Sequence, residues 1–199
     1  MITVVGLGNP GEEYKKTRHN VGMIILEDIR KHFGLAEWKN DSKKIAHTTS
    51  GGTGKEKMEL IMPETFMNKS GKSVAHLKGG AKKIENIIVI HDDLDMKVGC
   101  AKLLFDRGDG GHKGVISINR SLGTKAYVRI KVGISKMTPG GKIKKPKGDG
   151  AVNKHVLGEF SPDELKVIKK IGKGVAEALE IFIKEGRAKA QTVFNGEFS

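Results

Sequence analysis

The sequence is poor in cysteine, with only Cys100 among its 199 residues. A lone cysteine excludes an internal disulfide framework, and the chain has no Cys-x-x-Cys pair of the kind that binds zinc. No apolar run approaches the roughly 18 residues that cross a bilayer, so no membrane span is predicted. The apolar start lacks a basic lead-in and indicates a first strand rather than a signal peptide. These features predict a protein of the reducing cytoplasm.

Aromatic residues are also scarce, at 5% of the chain, which disfavours a platform on which nucleic-acid bases stack. Positive charge is abundant, because 36 Lys and Arg residues against 23 Asp and Glu give a formal net charge of +13. This excess favours a polyanionic partner, and by itself it does not distinguish RNA, DNA and an acidic membrane surface. If nucleic acid binds, we expect contacts to phosphate and shape more than to bases.

Length and apolar content fit one domain over residues 1–199. Short β-branched runs alternate with amphipathic stretches, which predicts an α/β fold with helices on both faces of a sheet. Predicted strands lie at residues 2–7, 45–49, 57–62, 86–90, 100–105 and 126–134, with a turn at 51–54. Predicted helices lie at residues 21–33, 72–78, 112–122, 161–186 and 188–194.

Two features of the C-terminal third are distinctive. Residues 137–149 are dominated by Gly, Pro and Lys, which predicts a mobile basic loop inside the domain. Ser161, Pro162 and Glu164 then predict a helix start, because serine caps, proline suits the first turn and glutamate completes a capping box.

The first loop matches the dinucleotide pattern G-x-G-x-x-G from Gly6 to Gly11. A dinucleotide site needs a helix that opens at the glycines, whereas Pro10 and a polar stretch delay the helix here. Another interpretation explains more of the loop, in which Pro10 fixes the direction of the Asn9 amide and His19, at the end of the loop, can act as a base near neutral pH. A solvated surface histidine is the plain alternative.

A second polar cluster, from His91 to Asp95, directly follows a predicted buried strand. Ligands in open α/β sheets bind beyond the carboxyl ends of strands, so these acids could orient a base or bind a metal. Strand alternation places Asp92 opposite to His91 and Asp93. A metal-dependent phosphohydrolase and a solvated acidic turn both remain open on this segment alone. No Gly-x-Ser-x-Gly elbow occurs, so a hydrolase would use water as its nucleophile.

Taken together, five separated segments in order resemble the bacterial peptidyl-tRNA hydrolase family. They are GLGNPGEEYKKTRHNVG, TFMNKSG, HDDLD, GGHKG and HVLGEF, and the resemblance extends from Val4 to about Asn195. It implies a twisted mixed sheet and a monomeric cytoplasmic enzyme with no cofactor and no metal. The implied reaction cleaves the ester between a peptide and the 3′ end of tRNA, which recycles tRNA from aborted translation. The implied partner is peptidyl-tRNA, bound at its acceptor stem and 3′ end, and neither DNA nor a membrane.

The same resemblance implies roles for individual residues. His19 matches the catalytic histidine of the family, and Asp92 matches the acid that pairs with it. Asn9 and Asn68 match the amides that position peptide and water.

Further matches concern substrate binding. Tyr14 and Met67 match residues that line the cleft for the acceptor end. Lys102 and Lys131 match basic residues near the tRNA phosphates, although the second position is more often arginine, whose bidentate fork lysine lacks. Lys113 departs from the family, which usually has a substrate-contacting asparagine there. Lysine donates hydrogen bonds but accepts none, so Lys113 predicts an altered substrate contact, weak activity or a phosphate contact.

A rival from another class is a non-catalytic RNA-binding relative of the same fold, and Lys113 is the feature that favours it. Incubation with a peptidyl-tRNA separates the two, because only the enzyme releases tRNA.

Overall fold

The computed structural model describes residues 1–52, 54 and 57–197. Seven strands form one sheet in the order β2-β3-β4-β1-β5-β7-β6. The strands are β1 (Ile2–Gly6), β2 (Lys39–Asp41), β3 (Ala46–Gly51), β4 (Met58–Pro63), β5 (Ile87–Lys97), β6 (Ala101–Phe105) and β7 (Val128–Ser135). The helices are α1 (Val21–His32), α2 (Ala81–Ile84), α3 (Lys113–Leu122), α4 (Asp149–Val156), α5 (Pro162–Glu185) and α6 (Arg187–Glu197).

The sheet is mixed, as the resemblance implied. Its centre is parallel, since β1 pairs with β4 and β5, and β5 pairs with β7. Both edges are antiparallel, through β2–β3–β4 on one side and β6–β7 on the other. The carboxyl ends of β1 and β5 therefore lie at the same edge of the sheet, and the segments that follow them meet there.

Each face of the sheet carries its own apolar core. Val4 and Ile88 belong to one cluster with residues of α1 and α5, whereas Val5 and Val89 belong to a second cluster with residues of α3. Neighbouring residues of a strand thus enter different cores, which is the two-residue period of a strand buried on both sides. The predicted α/β fold with helices on both faces is confirmed.

The alternative of a solvated acidic turn at residues 91–95 is wrong, because β5 continues through these residues to Lys97. The strand continues because β7 offers its backbone as a partner, with Asp92 paired to Val132 and Asp93 to Gly133. The polar side chains of residues 91–95 did not indicate in the sequence that the strand continues and pairs with β7. The predicted turn at residues 51–54 lies partly outside the described residues, although β3 and β4 pair as expected.

The predicted helix at residues 72–78 is instead a longer 3-10 segment, Met67–Leu77. This segment packs closely on α3, since a Cβ atom on Gly71 would lie 2.2 Å from the backbone oxygen of Ser117. Three elements were not predicted, namely β2, α2 and α4, and α2 is only four residues long. Strand β2 is a short exposed edge without alternating apolar residues, and α4 buries only Val156.

Helix α5 begins as its sequence predicts. Ser161 Oγ accepts from the Glu164 backbone N at 3.2 Å, and Glu164 Oε2 accepts from the Ser161 backbone N at 2.8 Å, so the capping box is complete. The predicted loop at 137–149 is irregular up to its last residue, where α4 begins, and its mobility stays a prediction. Within residues 1–52, 54 and 57–197, no helix has the length and apolarity needed to cross a bilayer.

Candidate active site

The loop between β1 and α1 is closed by its own hydrogen bonds. Asn20 Oδ1 accepts from the Asn9 backbone N, and Asn20 Nδ2 donates to the Asn9 backbone O, both at 2.9 Å. The end of the loop also pairs with a distant segment, because the Arg18 backbone N donates to Gly158 O at 3.0 Å and Thr17 bridges Glu159. These contacts hold the short 3-10 segment that carries His19 at the start of α1.

The Arg18 side chain ties this segment to β7 and to α5. Its Nη2 donates to both carboxylate oxygens of Glu164, at 2.8 and 3.0 Å, and its Nη1 donates to Ile134 O at 3.2 Å. The guanidinium lies 4.9 Å from the ring centroid of Phe160. Arg18 is buried, so one side chain ties the loop to β7 and to the first turn of α5.

His19 and Asp92 meet directly, as the sequence predicted. His19 Nδ1 lies 2.8 Å from Asp92 Oδ1, and Asp92 is only 3% exposed. Burial lowers the pKa of His19, but the charge and hydrogen bond of Asp92 outweigh that effect, so the pKa lies above its ordinary value. Burial alone would raise the pKa of Asp92, yet the adjacent histidines hold it far below its usual range. Asp92 is therefore a carboxylate at neutral pH.

His112 is a third member of this cluster and was not predicted. Its Nε2 lies 2.8 Å from Asp92 Oδ1, the same oxygen that His19 contacts. Its Nδ1 caps α3 by accepting from the backbone N of Gly114 at 3.2 Å and of Val115 at 3.3 Å. The GGHKG segment places His112 just before a predicted helix, but no sequence rule connects a helix cap to an acid twenty residues away.

The same three side chains could in principle hold a metal ion, since their ligand atoms lie within 4.8 Å of one another. Their hydrogen bonds argue for another use. A metal on His112 Nε2 would move the ring proton to Nδ1, where it would face the N–H groups of Gly114 and Val115. The donor set fits a hydrogen-bonded network better than a metal centre, and the predicted absence of a metal stays a prediction.

A cavity of about 130 Å³ opens beside the cluster. Its lining includes the sequence-predicted residues His19, Asp92, Lys113 and Lys131. Lys131 is ion-paired with Asp93. Lys113 is exposed at the first residue of α3, and within the described part of the chain it forms no ion pair or side-chain hydrogen bond.

Met67 lies next to the start of α3 and Asn9 contacts Met67, although neither is among the described residues that line this cavity. Asn9 Oδ1 accepts from the Met67 backbone N at 2.8 Å. A Cβ atom on Gly114 would lie 2.4 Å from Met67 Sδ and 3.1 Å from the His112 ring. Met67 therefore bridges from Asn9 to the start of α3, and only glycine leaves room for that contact.

The remaining predicted residues stand apart from the cavity lining that the structure describes. Tyr14 is half-buried and Asn68 is exposed. Lys102 is exposed on β6, where it pairs directly with Lys131 of β7. Two lysines opposite each other on antiparallel strands form a positive patch beside the cavity.

A model of the family described as peptidyl-tRNA hydrolase matches residues 3–199. The chain belongs to the peptidyl-tRNA hydrolase family. A peptidyl-tRNA hydrolase of Thermodesulfovibrio yellowstonii is 40% identical over 98% of this chain and 99% of its own length. One from Thermotoga maritima is 39% identical over 98% of this chain and 97% of its own.

Solved structures agree with these relatives. A peptidyl-tRNA hydrolase from Acinetobacter baumannii has a TM-score of 0.84 and 28% identity, with 98% of this chain and 94% of that chain covered. The prediction of a peptidyl-tRNA hydrolase, drawn from five motifs, is confirmed. The dinucleotide alternative gains no support, because α1 begins at Val21 and not at the glycines of the first loop.

Proposed function

We propose that this chain hydrolyses the ester bond between a peptide and the 3′ end of tRNA, with water as the nucleophile. Family membership supports the reaction. The observation that carries the mechanism is the 2.8 Å contact between His19 and Asp92 at the edge of a cavity.

The hydrogen bonds assign the protons. The Asp92 carboxylate accepts from His19 Nδ1, so the proton of the neutral ring is on Nδ1 and Nε2 carries a free lone pair. His19 Nε2 takes a proton from water, and the resulting hydroxide equivalent attacks the ester carbonyl. The tetrahedral intermediate then expels the ribose oxygen of the terminal nucleotide, which leaves as a hydroxyl when it receives the proton from His19.

The amides take complementary parts in this proposal. Asn9 Oδ1 is occupied by the Met67 backbone N, so Asn9 Nδ2 is the atom available to donate to the substrate. A donor aimed at the developing oxyanion stabilises it by about 3 kcal/mol. Asn68 is exposed and available to position peptide or water. We expect Tyr14 and Met67, which lie outside the described lining of the cavity, to contact the acceptor end as the resemblance implies.

The lysines bind the acceptor stem through its phosphates. Lys102 and Lys131 lie opposite each other, and among the described residues an acid pairs with Lys131 but not with Lys102, so the patch keeps an excess positive charge. Lys113 adds an ammonium at the cavity edge, with no ion-pair partner in the part of the chain that the structure describes. Such contacts give affinity without strong base preference. We expect the enzyme to act in the cytoplasm as a monomer, without a cofactor, on peptidyl-tRNA and not on DNA.

The test is tRNA release from an N-acyl-aminoacyl-tRNA by the wild type and by His19→Ala, with His76→Ala as a control on an exposed histidine. Loss of the base should lower kcat by about 10²- to 10⁴-fold while tRNA affinity changes little. Wild-type turnover by His19→Ala would refute the role of His19. Tight tRNA binding without release by the wild type would favour the non-catalytic RNA-binding alternative.

A further inference from the structure

We propose that His112 is a positioning residue that holds the Asp92 carboxylate and shares its Oδ1 atom with His19. The inference rests on the proposed role of His19 as the base and adds a residue that acts through Asp92. Both contacts to Oδ1 are 2.8 Å long, so neither histidine is a distant neighbour of the acid.

The proton positions on His112 follow from its partners. Two backbone N–H groups of α3, at Gly114 and Val115, point at His112 Nδ1. A nitrogen that accepts from N–H groups carries no proton, so the ring proton is on Nε2 and is donated to Asp92. The first turn of α3 thus fixes the tautomer of His112. The ring accepts hydrogen bonds from the helix N-terminus at Nδ1 and donates one to Asp92 at Nε2.

Sharing one oxygen changes what Asp92 can do for His19. A carboxylate oxygen that already accepts one hydrogen bond is a weaker acceptor for the next cation. The His112 bond therefore limits how strongly Asp92 stabilises protonated His19. A base that stayed protonated near neutral pH could not take a proton from water. His112 thus keeps Asp92 oriented and limits how far Asp92 raises the pKa of His19.

Burial makes this arrangement effective. The exposed fractions of the side chains are 13% for His19, 3% for Asp92 and 8% for His112. Little water can replace a lost partner there, so removal of one donor leaves the Asp92 carboxylate with an unsatisfied hydrogen bond. In the described part of the chain, only His19 and His112 hydrogen-bond to the Asp92 side chain.

Other charged or titratable groups face the same region, and the experiment must separate them from His112. Lys113, also at the start of α3, lowers the pKa of His19 by its charge. The remaining groups come from β5, β7, the loops and α4, and they are His91, Asp93, Asp95, Asp109, Lys131, Lys145 and His155. None of them is altered in the variants below.

The deciding variant is His112→Asn. Asparagine is a good helix cap, so α3 keeps its N-terminal hydrogen bond, but the side chain is too short to donate to Asp92. His112→Ala removes both contacts. Val152→Ala is the control, because it widens the same cavity from α4 without touching Asp92.

We expect the titration midpoint of His19, followed by NMR of the imidazole, to rise by about one pH unit in both His112 variants. The midpoint of the acid limb of kcat/KM should move to higher pH by a similar amount. Val152→Ala should shift the NMR midpoint and the kinetic midpoint by less than half as much. A His19 midpoint that stays unchanged or falls in folded His112→Asn would overturn the inference. A shifted NMR midpoint with an unshifted pH–rate profile would instead overturn His19 as the base and leave the role of His112 standing.

A second measurement needs no variant. The ¹⁵N shifts of the wild-type imidazoles should give the Nε2–H tautomer for His112 and the Nδ1–H tautomer for neutral His19. A wild-type His112 protonated at Nδ1 would overturn the inference even if both variants failed to fold.

Discussion

Replacement of Lys113 by asparagine, the residue that the resemblance implies at this position, tests what the lysine does at the start of α3. Lys113 is the first residue of α3, where the helix dipole is positive, and the described residues give it no acidic partner. A cation there costs about 0.3–1 kcal/mol. We therefore expect Lys113→Asn to be more stable by about 0.5 kcal/mol, which is about 1–2 °C in Tm for a chain of this length.

The same substitution should alter the pH profile. The ammonium of Lys113 lowers the pKa of His19, so its removal raises that pKa. A base is inactive when protonated, and a higher pKa keeps it protonated to higher pH. The acid limb of kcat/KM for tRNA release should move to higher pH, by a few tenths of a unit for a partly exposed charge pair.

Salt dependence tests whether Lys113 reaches a phosphate. Loss of one phosphate contact should reduce the slope of log(kcat/KM) against log salt concentration by about one. The matched control is Lys125→Asn, which removes the same charge just beyond the far end of α3. If Lys113→Asn and Lys125→Asn give equal salt slopes and an unmoved acid limb, Lys113 neither binds phosphate nor acts on His19.

Three further outcomes are expected. Asp92→Asn should lower kcat by about 10²- to 10⁴-fold. It should also move the acid limb of kcat/KM to lower pH, because the charge that raises the pKa of His19 is lost. An unchanged pH–rate profile would contradict this. Glu164→Gln should lower Tm at neutral pH, because the Arg18 contact outweighs the effect of burial and lowers the pKa of Glu164 in the folded protein. The difference from wild type should begin to shrink below the ordinary glutamate pKa and vanish once pH falls through the lowered pKa of folded Glu164; a Tm difference that does not depend on pH would contradict this. Gly71→Ala should destabilise the protein by about 1–3 kcal/mol in urea unfolding, since its Cβ would meet the backbone of α3; wild-type stability would contradict that packing.

Local patterns predicted the elements whose partners lie nearby in the chain. The capping box of α5 involves Ser161 and Glu164, three residues apart, and it forms as expected. The central strands are recognisable in the sequence because consecutive residues such as Ile88 and Val89 are both apolar, one for each buried face of the sheet. Elements without such internal signals were missed. Strand β2 forms because its backbone pairs with β3. Strand β5 continues past Ile90 because its backbone pairs with β7.

The sequence by itself determined the family, through five motifs in order, and the residue types of the site. Only the tertiary structure decided how they meet, because His19, Asp92 and His112 come from three segments that the parallel sheet and α3 bring to one edge. Which oxygen of Asp92 is shared, and which nitrogen of His112 carries a proton, depend on hydrogen bonds across those segments. Such directions are set by the packing of whole elements, and no local pattern records them.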